Sequence, residues 1–180
     1  AEGMKFTSFY ATPVCSMSRA CLLTGSYNAR VSIPGVLPGA AATIGLHPNE
    51  ITLAEIVKPR GYATICIGKW HLGHREPFLP TKQGFDSYFG VPYSNDSSID
   101  KVNAVFAKDC VFRDGMDEKK ARTVAIKPSV PLMRGTEVVE FPADQDTLTK
   151  RYTEEAVKFL RANPAKPFFI YLPHTMVHAP

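Results

Sequence analysis

Apolar residues recur along the chain in two patterns, one typical of amphipathic helices and the other of buried strands. Between 147 and 162 they repeat every three or four positions, which predicts one buried face on a helix that Thr147 can cap. These residues are Leu148, Tyr152, Ala156, Phe159 and Leu160. The continuous apolar run Phe168–Leu172 follows, and such a run is typical of a buried strand.

The same order of helix and strand occurs earlier in the chain. Asn49 is the predicted cap of a helix over Thr52–Lys58, which Pro59 and Gly61 end. The apolar run Ala63–Ile67 then predicts another buried strand. Two helices that each lead into a buried strand favour an α/β fold with a mostly parallel sheet flanked by helices.

A further helix is predicted within residues 15–25, after a short strand over Lys5–Tyr10. Ser16 and Ser18 are its candidate N-caps, and Gly25 is its predicted end.

Elsewhere the pattern is weaker. Residues 26–48 and 72–100 are predicted loops, and a hairpin is predicted between 130–133 and 137–141. A cluster of basic residues has acidic neighbours and is predicted to be a solvated loop; it consists of Lys119, Lys120 and Arg122.

Composition excludes several classes of protein. The 180 residues are 44% hydrophobic and 21% charged, which argues against a disordered chain. The net charge of +4 has no dense basic stripe, so nucleic acid is not an expected partner. No apolar stretch approaches the ~18 residues of a transmembrane helix. The four cysteines form neither a CxxC pair nor a zinc pattern.

Residues with catalytic potential follow the predicted strands, at the sheet edge where ligands gather in parallel sheets. Lys69 and His71 would supply a cation and a base there, or else a surface lysine and a packed histidine. His174 and His178 follow the later strand, and an i, i+4 pair of this kind could ligate zinc if it were helical. Cys15 opens a predicted helix, where a thiolate is favoured, although an ordinary buried cysteine fits equally.

Three acidic residues in the loops could bind a hard cation or could simply form turns. They are Asp86, Asp96 and Asp100.

Two segments of the chain resemble the signatures of the type I sulfatases, arylsulfatase A-like enzymes of the alkaline-phosphatase superfamily. Residues 15–25 match the first signature, a Cys-x-Pro/Ser/Ala-x-Arg core with a Leu-Thr-Gly ending, and residues 61–71 match the second. Further pieces agree in order; they are 84–86, 92–96, 146–149, 167–169 and 174–180.

The resemblance implies a fold and a division of the chain. The fold would be part of the alkaline-phosphatase/sulfatase-like sheet, and residues 1–180 would be a fragment of the N-terminal catalytic domain. Residues 1–96 would form its signature-bearing core, 97–146 a loop and hairpin excursion, and 147–180 a helix-strand return to the core.

The resemblance also implies a reaction. Cys15 would be oxidised to formylglycine by a formylglycine-generating maturation enzyme. One oxygen of the hydrated aldehyde would attack the sulfate sulfur of a small-molecule or glycan sulfate ester, and the alcohol would leave. Loss of the second oxygen's proton would then expel sulfate and restore the aldehyde. Met17 stands where the family usually has Pro, Ser or Ala, so conversion of Cys15 is itself a hypothesis.

Roles for further residues come from the same resemblance. Lys69 would bridge the diol and the sulfate, and His71 would be the base that drives elimination. Arg19 would position the hydrated aldehyde, and Ser94 would be a supporting hydrogen-bond donor. His178 would hold the sulfate or protonate the leaving oxygen, while a structural role stays open for His174.

The family's cofactor is Ca²⁺, or sometimes Mg²⁺. Cys15, as formylglycine, would be the only ligand within these 180 residues, because the family's acidic metal ligands would lie outside them. The fragment alone is therefore expected to hydrolyse no sulfate ester. The family also implies a periplasmic, secreted or lysosomal location.

Two alternatives remain. One is a phosphate or phosphonate ester hydrolase of the same superfamily. The other is a non-catalytic sulfatase-like protein, which Met17 keeps open.

Overall fold

The computed structural model describes residues 3–125 and 128–178, which form one six-stranded sheet with helices. The strands are β1 (Ala63–Ile67), β2 (Ser87–Gly90), β3 (Phe106–Phe112), β4 (Leu132–Arg134), β5 (Glu137–Phe141) and β6 (Phe168–Tyr171). Their order across the sheet is β3-β5-β4-β2-β1-β6. Three of the five pairings are parallel, including β1 with β2 and β1 with β6. The predicted fold class is thereby confirmed.

The helices are α1 (Cys15–Thr24), α2 (Leu53–Val57), α3 (Glu118–Thr123) and α4 (Leu148–Ala162). Helix α2 begins at Thr52 through a capping box. Thr52 Oγ1 accepts from the Glu55 amide at 3.3 Å, and the Thr52 amide donates to Glu55 Oε2 at 2.8 Å. The predicted cap, Asn49, was wrong because these reciprocal bonds fix the helix start three residues later.

Helix α1 places Cys15 in its first position. Its N-cap is Val14, not Ser16 or Ser18. Ser16 is buried, and its hydroxyl accepts from the Leu37 amide at 3.2 Å, so it ties down a loop instead of capping the helix. The predicted end is confirmed, because Gly25 adopts the left-handed conformation at φ 67°.

Two hydrophobic clusters pack on opposite faces of the sheet. Alternation along β1 sends Ile65 and Ile67 to the face that α4 covers with Leu148 and Tyr152. Cys66 points to the other face, where α1 and the loop side chains pack; this cluster includes Ala20, Leu23, Trp70 and Phe85. The central strands are thus covered on both sides, as expected for an α/β sheet.

Several expectations from the sequence need correction. Residues 5–10 form no strand, since they are exposed and pair with no neighbour in the described part of the chain. The predicted loop over 72–100 contains β2. The basic cluster at 119–122, also predicted to be a loop, lies within α3. Within α3, Arg122 bonds Glu118 Oε1 at 2.7 Å, an i, i+4 pair that supports helix.

The later strand differs in its burial. Strand β6 is an edge strand among the described residues, and Phe168 is 50% exposed, so the predicted complete burial was wrong. No helix in the ranges 3–125 and 128–178 has the length and apolar character needed to cross a membrane.

The carboxyl ends of β1, β2 and β6 are joined by close backbone contacts. The Gly68 amide donates to Phe89 O at 2.9 Å, and the Lys69 amide donates to Pro173 O at 2.8 Å. Gly68 has φ 118°, and a Cβ there would lie 2.1 Å from Pro173 O. Only glycine fits this crossing.

Gly68→Ala in the full-length protein is expected to lower the thermal unfolding midpoint sharply, with a loss of about 2–4 kcal/mol of stability. The new methyl group collides with a backbone oxygen that cannot move without separating β1 from β6. Differential scanning calorimetry measures the effect.

Gly135→Ala is the matched control. Gly135 also has positive φ, 61°, but open space surrounds its missing Cβ. Equal losses of stability in the two variants would show that glycine is required at position 68 for its backbone conformation and not for the contact with Pro173.

Candidate active site

A cleft of about 590 Å³ opens where the parallel strands end, beside the first turn of α1. Chain segments that follow β1, β2 and β6 all reach this edge, because parallel strands end on the same side of a sheet. The polar residues that line the cleft are Cys15, His71, Ser94, Asp96, Ser97 and His178. Side chains from both predicted groups, those after β1 and those after β6, therefore come together here. We call this space the Cys15–His71 cleft.

Cys15 and His71 contact each other directly. Cys15 Sγ lies 3.2 Å from His71 Nδ1. His71 Nε2 donates to the Leu37 carbonyl oxygen at 2.9 Å, because a carbonyl can only accept. In the neutral ring this bond leaves Nδ1 without a proton, as an acceptor aimed at residue 15.

The surroundings of His71 keep its ring neutral. Burial lowers the pKa of His71 to about 4, and the positive charges of Lys69 and Arg19 act in the same direction. His71 also has φ 56°, a rare conformation for a non-glycine residue. Its amide donates to Pro92 O at 3.1 Å, which helps to hold this conformation.

Lys69 lies beneath the cleft with only 2% of its surface exposed. Its Nζ donates to Ser94 Oγ at 3.0 Å. Burial lowers the pKa of Lys69, while a negative charge at Cys15 would raise it. The alternative of a surface lysine was wrong. Ser94, predicted as a supporting hydrogen-bond donor, accepts the hydrogen bond from Lys69.

Arg19 lies one turn after Cys15 on α1 and reaches the end of β1. Its Nη1 donates to the Lys69 carbonyl oxygen and, at 3.4 Å, to the Tyr171 hydroxyl. The guanidinium therefore sits beside the same backbone that carries Lys69 and His71.

His178 and Asp96 occupy the outer part of the Cys15–His71 cleft. The pKa of Asp96 is lowered, mainly by the Ser94 hydroxyl and further by the positive charges of His178 and Lys69. Asp96 was predicted only as a turn residue or cation ligand, and its position two residues after Ser94 was the available signal for a place in the cleft.

The remaining candidates lie elsewhere. His174 packs its ring 6.2 Å from that of Tyr152. Asp86 accepts from the Thr64 amide at 3.0 Å and pairs with Lys58 at 2.8 Å. Asp100 accepts from His74 at 2.6 Å. Both aspartates thus have structural partners, in agreement with the turn interpretation.

The described residues do not form a metal site by themselves. Across 3–125 and 128–178, no group of three or more His, Cys, Asp or Glu side chains is placed to hold a metal ion. His174 and His178, which could ligate zinc only if they were helical, are not part of such a group.

Comparison with known proteins gives the class to which this fold and site belong. The family model described as Sulfatase matches residues 1–180. The chain belongs to the sulfatase family.

Individual relatives agree. The chain is 39% identical over 188 residues to arylsulfatase G of Mus musculus and 37% identical over 199 residues to N-acetylgalactosamine-6-sulfatase of Mus musculus. Both matches cover 100% of this chain but only 35% and 34% of those proteins. The chain therefore spans about a third of the length of these relatives.

Solved structures share the fold. Ps i-CgsB matches with a TM-score of 0.72 at 26% identity, covering 93% of this chain and 36% of that chain. The PsFucS1 sulfatase from Pseudoalteromonas sp. matches with a TM-score of 0.64 at 24% identity, covering 98% of this chain and 37% of that one.

Proposed function

We propose that the full-length protein hydrolyses sulfate esters and that residue 15 is its nucleophile. The observation that carries this proposal is the contact of Cys15 with the acceptor nitrogen of His71 in a cleft where the lining residue Ser94 accepts a hydrogen bond from the buried Lys69. Such an arrangement offers a nucleophile, a base and positive charge to one anionic group.

The nucleophile requires a modified residue 15. Formylglycine at this position, once hydrated, supplies one oxygen that attacks the sulfate sulfur and a second oxygen whose proton is lost as sulfate leaves. Cys15 Sγ marks where these oxygens would lie, 3.2 Å from His71 Nδ1. His71 is therefore assigned as the base that accepts this proton, with Leu37 fixing its tautomer.

Two cationic side chains are assigned to stabilise the sulfuryl oxygens, on which negative charge develops in the transition state. Lys69 is held by Ser94, and Arg19 is held against the Lys69 backbone, so both cations are positioned before substrate arrives. His178, at the open side of the cleft, would hold the sulfate or give a proton to the alcohol oxygen as its bond to sulfur breaks.

A divalent cation, Ca²⁺ or Mg²⁺, belongs to the proposal as a family expectation. Because the described residues lack a ligand cluster, no step above is assigned to it.

The substrate proposed is a sulfated sugar or a small sulfate ester. The name N-acetylgalactosamine-6-sulfatase describes a relative that acts on a sugar sulfate, and this chain is 37% identical to it. A formylglycine-generating enzyme would be the maturation partner, and the whole protein is proposed to function in a periplasmic, secreted or lysosomal space.

The test uses the full-length protein, expressed in a host that contains a formylglycine-generating enzyme. We expect faster hydrolysis of 4-methylumbelliferyl sulfate than of 4-methylumbelliferyl phosphate. Mass spectrometry of the peptide containing residue 15 should show conversion of the thiol to the aldehyde. Preferred hydrolysis of the phosphate ester would support the phosphatase alternative, and an unmodified thiol with no turnover would support a non-catalytic protein.

A further inference from the structure

The guanidinium of Arg19 is placed by neutral acceptors. Arginine carries five N–H donors, and Arg19 Nη1 uses the Lys69 carbonyl and the Tyr171 hydroxyl as acceptors. Among the described residues, Arg19 takes part in none of the ion pairs with Asp or Glu. Its Nε is buried and has no hydrogen-bond partner there. No carboxylate of this part of the chain therefore competes for its charge.

Tyr171 is a rigid acceptor for this guanidinium. It is the last residue of β6, and its ring packs 6.3 Å from that of Phe85, which in turn lies 6.1 Å from Trp70. Burial raises the pKa of Tyr171 to about 12, so the phenol stays protonated at ordinary pH. Its oxygen can accept from Arg19 and still has a proton to donate.

Residue 15 also borders the space around this pair. A second cleft, of about 330 Å³, is lined by Cys15, Ser18, Arg19, Leu22, Tyr171, Leu172 and Pro173. Cys15 thus stands between this Arg19 cleft and the Cys15–His71 cleft. A change in the orientation of Arg19 would therefore change the surroundings of residue 15.

We propose that Tyr171 is a positioning residue for sulfate ester hydrolysis, holding the Arg19 guanidinium at residue 15. An arginine side chain has several rotatable bonds and loses rotamer entropy when it is fixed. Two acceptors on Nη1, one from β6 and one from the end of β1, restrict its rotation before substrate binds. The remaining N–H groups are then left for the anion. The inference rests on the proposed function.

The primary test is Tyr171→Phe in the full-length protein, which deletes the hydroxyl and keeps the ring that packs on Phe85. We expect kcat for 4-methylumbelliferyl sulfate to fall about tenfold, the order expected for one hydrogen bond to a charged group. Tyr88→Phe is the matched control, because the Tyr88 hydroxyl is buried on β2, in the same sheet, without a hydrogen-bond partner in the described structure. The control should keep its activity, and both variants should keep the wild-type melting temperature.

A double variant separates positioning from a general structural effect. If Tyr171 acts through Arg19, then Tyr171→Phe should cause little further loss in an Arg19→Lys background. The same tenfold loss in both backgrounds would overturn the proposal, as would a tenfold loss in Tyr88→Phe.

Binding of inorganic sulfate, measured by calorimetry, tests the same idea without turnover. Tyr171→Phe should bind sulfate more weakly than wild type and Tyr88→Phe, and equal affinities would overturn the positioning role. A wild-type protein that binds sulfate but hydrolyses no ester would instead refute the proposed function alone.

Discussion

Cys15→Ala is expected to eliminate the proposed sulfate ester hydrolysis by the full-length protein, with a loss in kcat of more than about 10³-fold. The variant lacks the thiol that the maturation enzyme would oxidise to the aldehyde, so neither the attacking oxygen nor the oxygen that expels sulfate can form. Cys15 is only half-buried, so we expect its truncation to alanine to have little effect on folding. Hydrolysis of 4-methylumbelliferyl sulfate, with the melting temperature as a check on folding, measures this outcome.

Cys15→Ser, left unmodified, distinguishes the two halves of the reaction. A serine hydroxyl can take up the sulfuryl group, but it has no second oxygen whose deprotonation releases sulfate. We therefore expect a single burst of product and a protein heavier by one sulfuryl group at residue 15. Continuous turnover by an unmodified serine variant would contradict the release of sulfate by deprotonation of a second oxygen on residue 15.

The matched control is Cys21→Ala on the same helix. Cys21 faces away from His71 and borders a separate space with Phe9 and Tyr27. Its loss should leave kcat close to the wild-type value. Activity that survives in Cys15→Ala but falls in Cys21→Ala would assign the nucleophile to residue 21 instead of residue 15.

The part of the site that was predictable from sequence is the part set by strand ends. The run Ala63–Ile67 is bounded clearly, so Lys69 and His71 could be placed at the carboxyl edge of a parallel sheet. His178 follows the second such run, and the shared edge brings it into the same cleft. Local pattern and sheet geometry were sufficient for these residues.

Hydrogen bonds between residues far apart in the sequence were not predictable. The acceptor that fixes the His71 tautomer is the carbonyl of Leu37, in a loop with no periodicity. Tyr171 was one residue of an apolar strand, and only the folded structure shows that its hydroxyl accepts a hydrogen bond from Arg19. Such partners depend on tertiary packing, which leaves no trace in local composition.

Strands β2 and β3 were not predicted from the sequence for a similar reason. Strand β3 carries Lys108 and Asp109 in its middle, and both are exposed, so its apolar alternation is interrupted. Strand β2 has only four residues, Ser87–Gly90, within a loop-rich segment. Pairing with β1 and β4 stabilises β2, and no such partner is visible in the sequence.

His71→Ala is expected to lower kcat by about 10²–10⁴-fold, the range typical of losing a general base. The variant removes the acceptor nitrogen that lies 3.2 Å from Cys15 Sγ, while Lys69 and Arg19, the cations proposed to contact the sulfate, are unchanged. KM should therefore change much less than kcat. His47→Ala, at an exposed loop position, is the control and should leave both constants near wild type.

The pH dependence gives this assignment a separate test. Only neutral His71 can accept a proton, and burial lowers its pKa to about 4. Activity assigned to this base should consequently be retained as pH falls from 7 toward the ordinary histidine pKa of about 6.5, and be lost only as pH falls through about 4. An acid limb near pH 6.5, or an acid limb near pH 4 that persists unchanged in His71→Ala, would assign the proton transfer to another group.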